Sequence, residues 1–272
     1  MVLNDGHTQY INSTFHYTIY GDGAEVLIAF HGFSESGRSF VSLKSALSAR
    51  YTIYAFDLPF HGATKWKEPR PFTTSDLEKI IIQFTQQHNF EQFAVLGFSM
   101  GGKCALHLAQ TMPQKITALW LLASDGIKTN KIYNVAVYPS WGRSLFKTTI
   151  QHPAWLFAVV NIANKLRLLS PWLKKFTYNH METKEKRERL YHTWISMAAF
   201  NPDISLVKKQ INQHQIPVLL FFGKRDEVIP VAVGEFFAEG LSSCLLTRLE
   251  RGHYFIDEKI NPSLTAALQW LK

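Results

Sequence analysis

The chain has 272 residues, of which 46% are hydrophobic and 18% are charged, and its formal net charge is +8. Its length and apolar content allow a large buried core, which excludes disordered and disulfide-stapled classes of protein. The two cysteines are predicted to be buried free thiols in a reducing compartment, so we expect a cytoplasmic protein. No signal peptide is recognised, and no apolar run reaches the ~20 residues of a membrane span.

Strand and helix patterns alternate along most of the chain. Alternating polar and apolar residues over 8–20 predict an N-terminal antiparallel hairpin. Short apolar runs predict buried strands at 26–30, 51–56, 93–96, 116–122, 218–222 and 245–249. Helical spacing predicts helices at 40–49, 74–88, 99–110, 204–213, 231–241 and 263–271. The alternation predicts a mostly parallel, doubly wound α/β sheet that is covered on both faces.

Residues 127–203 interrupt this alternation. The segment is helical and aromatic in character, and its twelve Lys or Arg against four Asp or Glu account for the whole net charge. We predict an insertion between two strands, above their carboxyl ends, where ligands bind in α/β sheets. Its most basic stretch, 184–189, contains interleaved acids and favours a solvated helix face. Attraction of an anionic substrate and contact with an acidic membrane surface are the alternatives.

A serine lies at a predicted strand-to-helix turn. Residues 97–101 read G-x-S-x-G around Ser99, and such spacing allows the sharp turn that exposes a nucleophile. It also places the Met100 N–H at a helix N-terminus. Residues 97–103 equally read G-x-x-x-x-G-K, the pattern of a phosphate-binding loop. That loop requires a hydroxyl ligand for Mg²⁺ after the lysine, and Cys104 is a poor substitute, so this interpretation is disfavoured.

A serine nucleophile needs a base, and the base needs an acid that orients it. Asp226 follows the predicted strand 218–222, and His253 follows the predicted strand 245–249. Both lie just past the carboxyl end of a strand, as Ser99 does, so we expect the three to converge at one edge of the sheet. Asp125 also follows a strand and remains an alternative for the acid.

Five short motifs occur in order, each after a predicted strand: H-G-F at 31–33, D-L-P-F-H-G at 57–62, G-F-S-M-G-G at 97–102, G-K-R-D-E-V-I-P at 223–230 and G-H at 252–253. With these motifs, the chain from about residue 26 to its end resembles the α/β-hydrolase superfamily. The resemblance implies that Ser99 is the nucleophile, His253 the general base and Asp226 the acid. It also implies an oxyanion hole built from the backbone N–H groups of Phe33 and Met100.

The resemblance further implies an α/β-hydrolase core at 1–126 and 204–272, with 127–203 as a helical cap over the pocket. Of the remaining polar residues in the motifs, His31, His61 and Asp57 are expected to bond their own loops. Lys103 is expected to be a solvated helix residue.

The predicted activity is that of a serine hydrolase that cleaves a carboxylic ester or related acyl substrate through an acyl-enzyme. The alternatives are a carbon–carbon bond hydrolase of a diketone acid and a ligand sensor with slow turnover. No cofactor or metal is expected. The expected partner is a small acyl molecule, apolar or anionic, with no nucleic acid and no transmembrane segment; peripheral membrane contact by the cap is the further alternative.

Overall fold

A computed structural model describes residues 4–128, 131–168 and 171–271. The chain forms two compact units, one from Met1–Lys128 with Phe200–Lys272 and the other from Thr129–Ala199. We call them the α/β unit and the insertion. The insertion lies within the predicted segment 127–203, whose role as a cap stays a prediction.

Among its described residues, the α/β unit contains one sheet of eight strands. In chain order they are β1 Asn4–Tyr10, β2 Ser13–Tyr20, β3 Glu25–Phe30, β4 Tyr51–Phe56, β5 Phe93–Phe98, β6 Ile116–Leu122, β7 Val218–Gly223 and β8 Cys244–Leu249. Their order across the sheet is β1-β2-β4-β3-β5-β6-β7-β8. β1 pairs antiparallel with β2 and β2 with β4, while β3 to β8 are parallel. The predicted hairpin and the predicted mostly parallel sheet are confirmed.

The described helices divide between the two units. In chain order they are α1 Lys44–Leu47, α2 Thr74–Gln87, α3 Gly101–Thr111, α4 Lys131–Val137, α5 Ser140–Gln151, α6 Ala154–Lys165, α7 Pro171–Met181, α8 Lys184–Met197, α9 Ile204–Gln213, α10 Val231–Ala238 and α11 Asn261–Trp270. α4 to α8 belong to the insertion. No helix among the described residues combines the length and apolar character needed to cross a bilayer.

The central strands form because their residues are apolar on both faces. Every residue of β5 and of β7 is buried, as expected for parallel strands covered on both sides. The helix α2 begins where Thr73 accepts a hydrogen bond from the Asp76 N–H and Asp76 accepts one from the Thr73 N–H. This capping box satisfies backbone donors that the first helical turn leaves without partners.

One predicted helix, at 40–49, forms differently. The structure has a 3₁₀ helix at Gly37–Leu43 followed by the short α1. The Gly37 N–H donates to Asp57 Oδ1 at 2.7 Å, and the Tyr20 hydroxyl donates to the Gly37 carbonyl at 2.7 Å. These contacts tie the start of the segment to neighbouring elements, and the tighter 3₁₀ winding is typical of such connections.

The insertion has a small aromatic core of its own. The Trp194 ring lies 5.3 Å from the Tyr133 ring, 5.4 Å from the Phe146 ring and 6.1 Å from the Phe176 ring, measured between centroids. Arg187 donates from Nε to the Ile150 carbonyl at 2.8 Å, linking α8 to α5. Aromatic pairs at these distances contribute about 0.5–1.5 kcal/mol each beyond area burial.

The basic stretch 184–189 behaves as a solvated helix face with internal ion pairs. Lys186 lies 2.6 Å from Glu182, and Lys184 lies 3.8 Å from Glu188, each pair four residues apart. Such exposed pairs stabilise a helix by only about 0.3–0.5 kcal/mol. The predicted solvated face is confirmed at Lys184, Glu185, Glu188 and Arg189, whereas Arg187 is half-buried and donates to the Ile150 carbonyl.

Candidate active site

Ser99 occupies a strained turn between β5 and α3. Its φ is 48°, in the left-handed region that side-chain-bearing residues seldom adopt, at a typical cost of about 1–3 kcal/mol. The three surrounding glycines have no room for a side chain. A Cβ added at Gly97 would lie 2.6 Å from the Gly101 carbonyl oxygen, and one added at Gly101 would lie 2.0 Å from the Phe30 carbonyl oxygen. A Cβ added at Gly102 would lie 1.9 Å from Ser124 Oγ. The strand and helix can therefore approach closely enough to form the turn.

The structure brings Ser99, His253 and Asp226 together. The His253 Nε2 lies 3.0 Å from Ser99 Oγ, and its Nδ1 lies 2.8 Å from Asp226 Oδ2. Asp226 is 6% exposed, and its other oxygen, Oδ1, accepts from the Val228 and Ile229 N–H groups at 2.7 and 2.8 Å. These two backbone donors fix the carboxylate, which leaves Oδ2 for the imidazole.

A ring contact and an ion pair near His253 also help to position its imidazole. The Phe98 ring, which is fully buried, lies 5.6 Å from the His253 ring. Arg251 pairs with Asp257 across the loop that carries His253. The side chain of His253 is itself only 8% exposed, so water has little access to its contact with the carboxylate.

Asp125, the alternative acid, contacts its own loop. Its Oδ1 accepts from the Gly126 N–H at 2.7 Å, and its Oδ2 lies 3.9 Å from Lys103 Nζ. Its own N–H donates to the Ser99 carbonyl at 2.9 Å, so it supports the turn through the backbone. Lys103 is 4% exposed, so the expectation of a solvated lysine is wrong. The first turn of α3 packs closely on the segment after β6, which encloses the lysine stem.

The loops after β3 and β4 bond one another. His31 is fully buried; its Nδ1 lies 2.7 Å from the Gly32 carbonyl, and its Nε2 accepts from the Leu58 N–H at 2.9 Å. Burial lowers the pKa of His31 to about 4, so it stays neutral at physiological pH. Asp57 accepts from the Gly37 and Ala63 N–H groups at 2.7 and 2.8 Å.

In the same loops His61 Nδ1 lies 3.0 Å from the Pro59 carbonyl. The expected loop-bonding roles of His31, His61 and Asp57 are therefore confirmed. Phe33 follows β3 in this loop, and its ring packs edge-on against His61 at 5.6 Å. Met100 is 6% exposed and directly precedes α3. Its N–H belongs to the group of donors at a helix start that have no earlier helical carbonyl to bind.

A second carboxyl at this site, Glu35, received no role from the sequence. Its Oε2 accepts from the Gly32 N–H at 3.2 Å, and burial raises its pKa to about 7, while the Gly32 contact and the nearby His253 counteract part of that rise. Burial is the largest cause of a raised pKa at Tyr254, and the nearby carboxyls of Glu35 and Asp226 raise that pKa further. In the sequence, the one feature that pointed to Glu35 was its place in the motif loop after β3, and the spacing of residues does not reveal that a side chain is buried.

Both cysteines are free thiols. Cys104 is fully buried, as predicted, whereas Cys244 is half-buried. Burial raises the pKa of Cys104 to about 12 and that of Cys244 to about 11, so both stay protonated and unreactive at neutral pH. Across 4–128, 131–168 and 171–271, no three His, Cys, Asp or Glu side chains are grouped so as to hold a metal ion.

Residues 25–260 match the sequence profile of the alpha/beta hydrolase fold family. The Magnesium-chelatase 30 kDa subunit of Rhodobacter capsulatus is 36% identical over 261 residues, which cover 91% of this chain and 87% of that protein. The Pimeloyl-[acyl-carrier protein] methyl ester esterase of Nitrosomonas europaea is 23% identical over 244 residues, covering 84% and 88%.

Among solved structures, the enol-lactonase from Burkholderia xenovorans LB400 superposes with a TM-score of 0.69 and 15% identity, covering 98% of this chain and 99% of that one. At this identity the likeness shows the fold alone. The chain belongs to the α/β-hydrolase fold family, and it is a hydrolase.

Proposed function

We propose that the protein is a serine hydrolase that cleaves a carboxylic ester or a related acyl substrate through an acyl-enzyme. The observation that carries the proposal is the unbroken series of hydrogen-bond distances from Ser99 Oγ through His253 to Asp226, at 3.0 and 2.8 Å. A nucleophile, a base and an orienting acid in this arrangement are the requirements of nucleophilic acyl transfer.

The protonation pattern follows from the donors around Asp226. Its carboxylate can only accept, so the Nδ1–H of His253 donates to Oδ2. The imidazole Nε2 is then an acceptor and receives the hydrogen bond of the Ser99 hydroxyl at 3.0 Å. This tautomer can remove the hydroxyl proton as Ser99 Oγ attacks the carbonyl carbon, and Asp226 stabilises the imidazolium that forms.

The two half-reactions balance through one proton carrier. As the tetrahedral intermediate collapses, His253 gives its proton to the leaving alkoxide, and the alcohol departs. A water molecule then loses a proton to His253 while attacking the acyl carbon, and the proton returns to Ser99 when the acid is released. The Phe33 and Met100 N–H groups are the proposed oxyanion donors, and one such donor is worth about 3–4 kcal/mol.

Burst kinetics with p-nitrophenyl esters of varied chain length test this proposal. We expect turnover in the wild type, a loss of about 10³–10⁶-fold in Ser99→Ala, and fluorophosphonate labelling of Ser99 alone. Ser205→Ala is the matched control, since Ser205 is an exposed serine on α9. Undiminished ester turnover by a folded Ser99→Ala protein would refute the proposal, and slow turnover with tight product retention would favour a ligand sensor.

Carbon–carbon bond hydrolysis of a diketone acid uses the same three side chains. A substrate carboxylate held near His253 would also lie near the Glu35 carboxyl, which interacts electrostatically with His253 and whose pKa burial raises to about 7. Repulsion between like charges in a partly buried site disfavours that substrate. We therefore place ester cleavage first. A substrate panel of esters, thioesters, lactones and ring-fission diketones distinguishes the two reactions.

The relative with 36% identity supplies a second candidate of another class. That protein is named as a subunit of magnesium chelatase, and this chain matches most of its length, so we propose an accessory role beside such a chelatase as the alternative. The test is metal insertion by a magnesium chelatase with and without this protein. Stimulation that persists in Ser99→Ala would favour the accessory role, whereas no stimulation would remove it.

We propose the segment 127–203, which contains the insertion, as the cap that selects the substrate; the proposal rests on its place in the chain between β6 and β7. Substitutions within it are expected to change the preference among ester chain lengths more than the rate of labelling at Ser99. An unchanged preference would contradict this role.

The two protonated thiols agree with a reducing compartment such as the cytoplasm.

A further inference from the structure

The helix α6 has apolar side chains on two opposite faces. Leu156 and Phe157 are half-buried, and Val160 is buried at 5% exposure. Trp155, Val159, Ile162 and Leu166 recur at intervals of four, three and four residues, so they form one stripe on the opposite face. All four are exposed, from 44% at Trp155 to 61% at Ile162 and Leu166. We call these four residues the α6 stripe.

Exposed apolar side chains are frequent in the part of the chain that contains this helix. The described residues include seventeen large hydrophobic side chains that are exposed, and ten of them lie between Ile132 and Leu168. Besides the α6 stripe and Leu168, the ten are Ile132, Val135, Tyr138, Trp141 and Leu145. Single exposed apolar residues are normal on a protein surface, but several on one helix face, as in the α6 stripe, indicate an interaction surface.

Near the end of α6 lies a further exposed apolar residue, Leu168, with the cations Lys165 and Arg167 close to it in the chain. Arg167 has a φ of 56°, the Arg167 N–H donates to the Asn164 carbonyl at 3.0 Å, and the Leu168 N–H donates to the Ala163 carbonyl at 2.9 Å. This pattern ends the helix and turns the chain at Arg167. Leu168 is then the most exposed of the large hydrophobic residues described, at 76%.

Charge in the same region has a single sign. Between Asp125 and Glu182 the sequence has no acidic residue and eight basic residues. Those described as exposed within 131–168 are Lys131, Arg143, Lys147, Lys165 and Arg167. The stretch 184–189 differs because its lysines pair with glutamates one helical turn away. Surface cations without acids among them attract an anionic partner over about one Debye length, ~8–10 Å.

We propose that the α6 stripe, together with Leu168 and the cations Lys165 and Arg167 at the end of the helix, binds the surface of a bilayer that contains anionic lipid. Apolar side chains of a helix lying in the interface enter the boundary between headgroups and acyl chains, while lysine and arginine side chains reach the phosphates. A second copy of the chain fits this face poorly, because two such faces would oppose cations with cations. The proposal does not depend on the proposed reaction.

The protein is tested by sedimentation with vesicles of phosphatidylcholine alone and of phosphatidylcholine mixed with phosphatidylserine. We expect binding to the mixed vesicles at low salt to be on the order of tenfold or more tighter than to phosphatidylcholine alone. Binding should weaken as salt rises, since the electrostatic part is screened. The double variant Ile162→Gln with Leu166→Gln should lose roughly tenfold or more in partitioning, because both side chains are exposed and contribute apolar area.

Matched variants separate this surface from general effects of charge and hydrophobicity. Ile82→Gln removes an exposed isoleucine of the α/β unit, and Lys67→Gln with Lys209→Gln removes two exposed lysines there. These should bind as the wild type does, whereas Lys165→Gln with Arg167→Gln should bind more weakly. Absence of binding to mixed vesicles at low salt would overturn the proposal. Equal binding by all variants, or a self-association that the Ile162 and Leu166 substitutions abolish, would also overturn it.

Discussion

The α/β unit and the insertion use the same residue types in opposite ways. In the α/β unit, apolar side chains fill the two faces of the sheet, and buried charges such as Asp57, Asp76 and Asp226 are each held by several donors. In the insertion, ten large apolar side chains between Ile132 and Leu168 face solvent. Apolar residues of the α/β unit are therefore mostly enclosed in its core, while several of those in the insertion leave a large part of their side chains exposed to solvent.

The largest expected effect concerns the charge network at Ser99. In Asp226→Asn, the amide oxygen keeps the Val228 and Ile229 N–H bonds, so the NH₂ group faces His253 Nδ1. The imidazole must then accept at Nδ1 and carry its proton on Nε2, where it cannot accept from Ser99. We expect kcat to fall by about 10³–10⁴-fold with little change in stability.

Asp125→Asn is the matched control, because its carboxylate contacts Gly126 and Lys103 and not the imidazole. We expect less than about a tenfold change in kcat for this variant, measured with the same esters as above. Equal losses in the two variants would remove Asp226 from the proposed mechanism.

The second prediction concerns stability in the α/β unit. Asp76 is 2% exposed, and it accepts from Arg70, Thr73 and the Tyr10 hydroxyl, the last at 2.7 Å. Burial alone would raise the pKa of Asp76, but these donors lower it well below its usual range. Ionised Asp76 therefore stabilises the folded protein above pH ~4, and this stabilisation is lost as the pH falls further.

We expect Asp76→Ala to lower the free energy of unfolding at pH 7 by about 3 kcal/mol, because a buried acceptor of several donors and a helix cap are lost. Urea unfolding measures it, and the difference from the wild type should shrink below pH ~4. Asp203→Ala is the control: Asp203 also caps a helix but is exposed, so about 1 kcal/mol is expected. A loss at Asp76 no larger than at Asp203 would contradict the role of burial.

Glu35 gives a pH-dependent prediction of opposite sign. Burial raises its pKa from its ordinary value near 4.5 to about 7, so the folded protein binds this proton more tightly than the unfolded chain does. Ionised Glu35 therefore costs stability, a cost that begins above pH ~4.5 and is complete above pH ~7. Glu35→Gln should gain stability at pH 8, with about 3 kcal/mol as an upper bound that partial exposure reduces.

At pH 4 the Glu35→Gln variant and the wild type should unfold at similar urea concentrations, since both side chains are then neutral. The exposed Glu91→Gln serves as control and is expected to change stability by less than about 0.5 kcal/mol at either pH. A gain in Glu35→Gln that is equal at pH 4 and pH 8 would show that ionisation is not its cause.

The sequence predicted best what depends on local pattern. The strands β4 and β6 have the bounds predicted for them, because short, mainly apolar runs favour strands. The glycine spacing around Ser99 similarly predicted the turn. Lys103 could not be predicted, because its burial depends on how closely the segment after β6 approaches α3.

The outer face of α6 escaped prediction for a related reason. Its apolar residues occur at helical spacing on both faces, and sequence alone does not distinguish a face that packs from one that remains exposed. Glu35 is a similar case, since a charged residue in a loop is usually solvated, and only the packed structure reveals its burial beside His253.

The smallest expected effect compares two residues of α6 itself. Val160 is 5% exposed and Ile162 is 61% exposed, although they are two positions apart on the same helix. Val160→Ala should destabilise the insertion by roughly 1–2 kcal/mol, because it leaves a cavity, whereas Ile162→Ala should change stability by less than about 0.5 kcal/mol. Thermal unfolding followed by circular dichroism measures both. A large loss in Ile162→Ala would mean that the outer face takes part in packing, and the difference drawn between the two units would then fail at this helix.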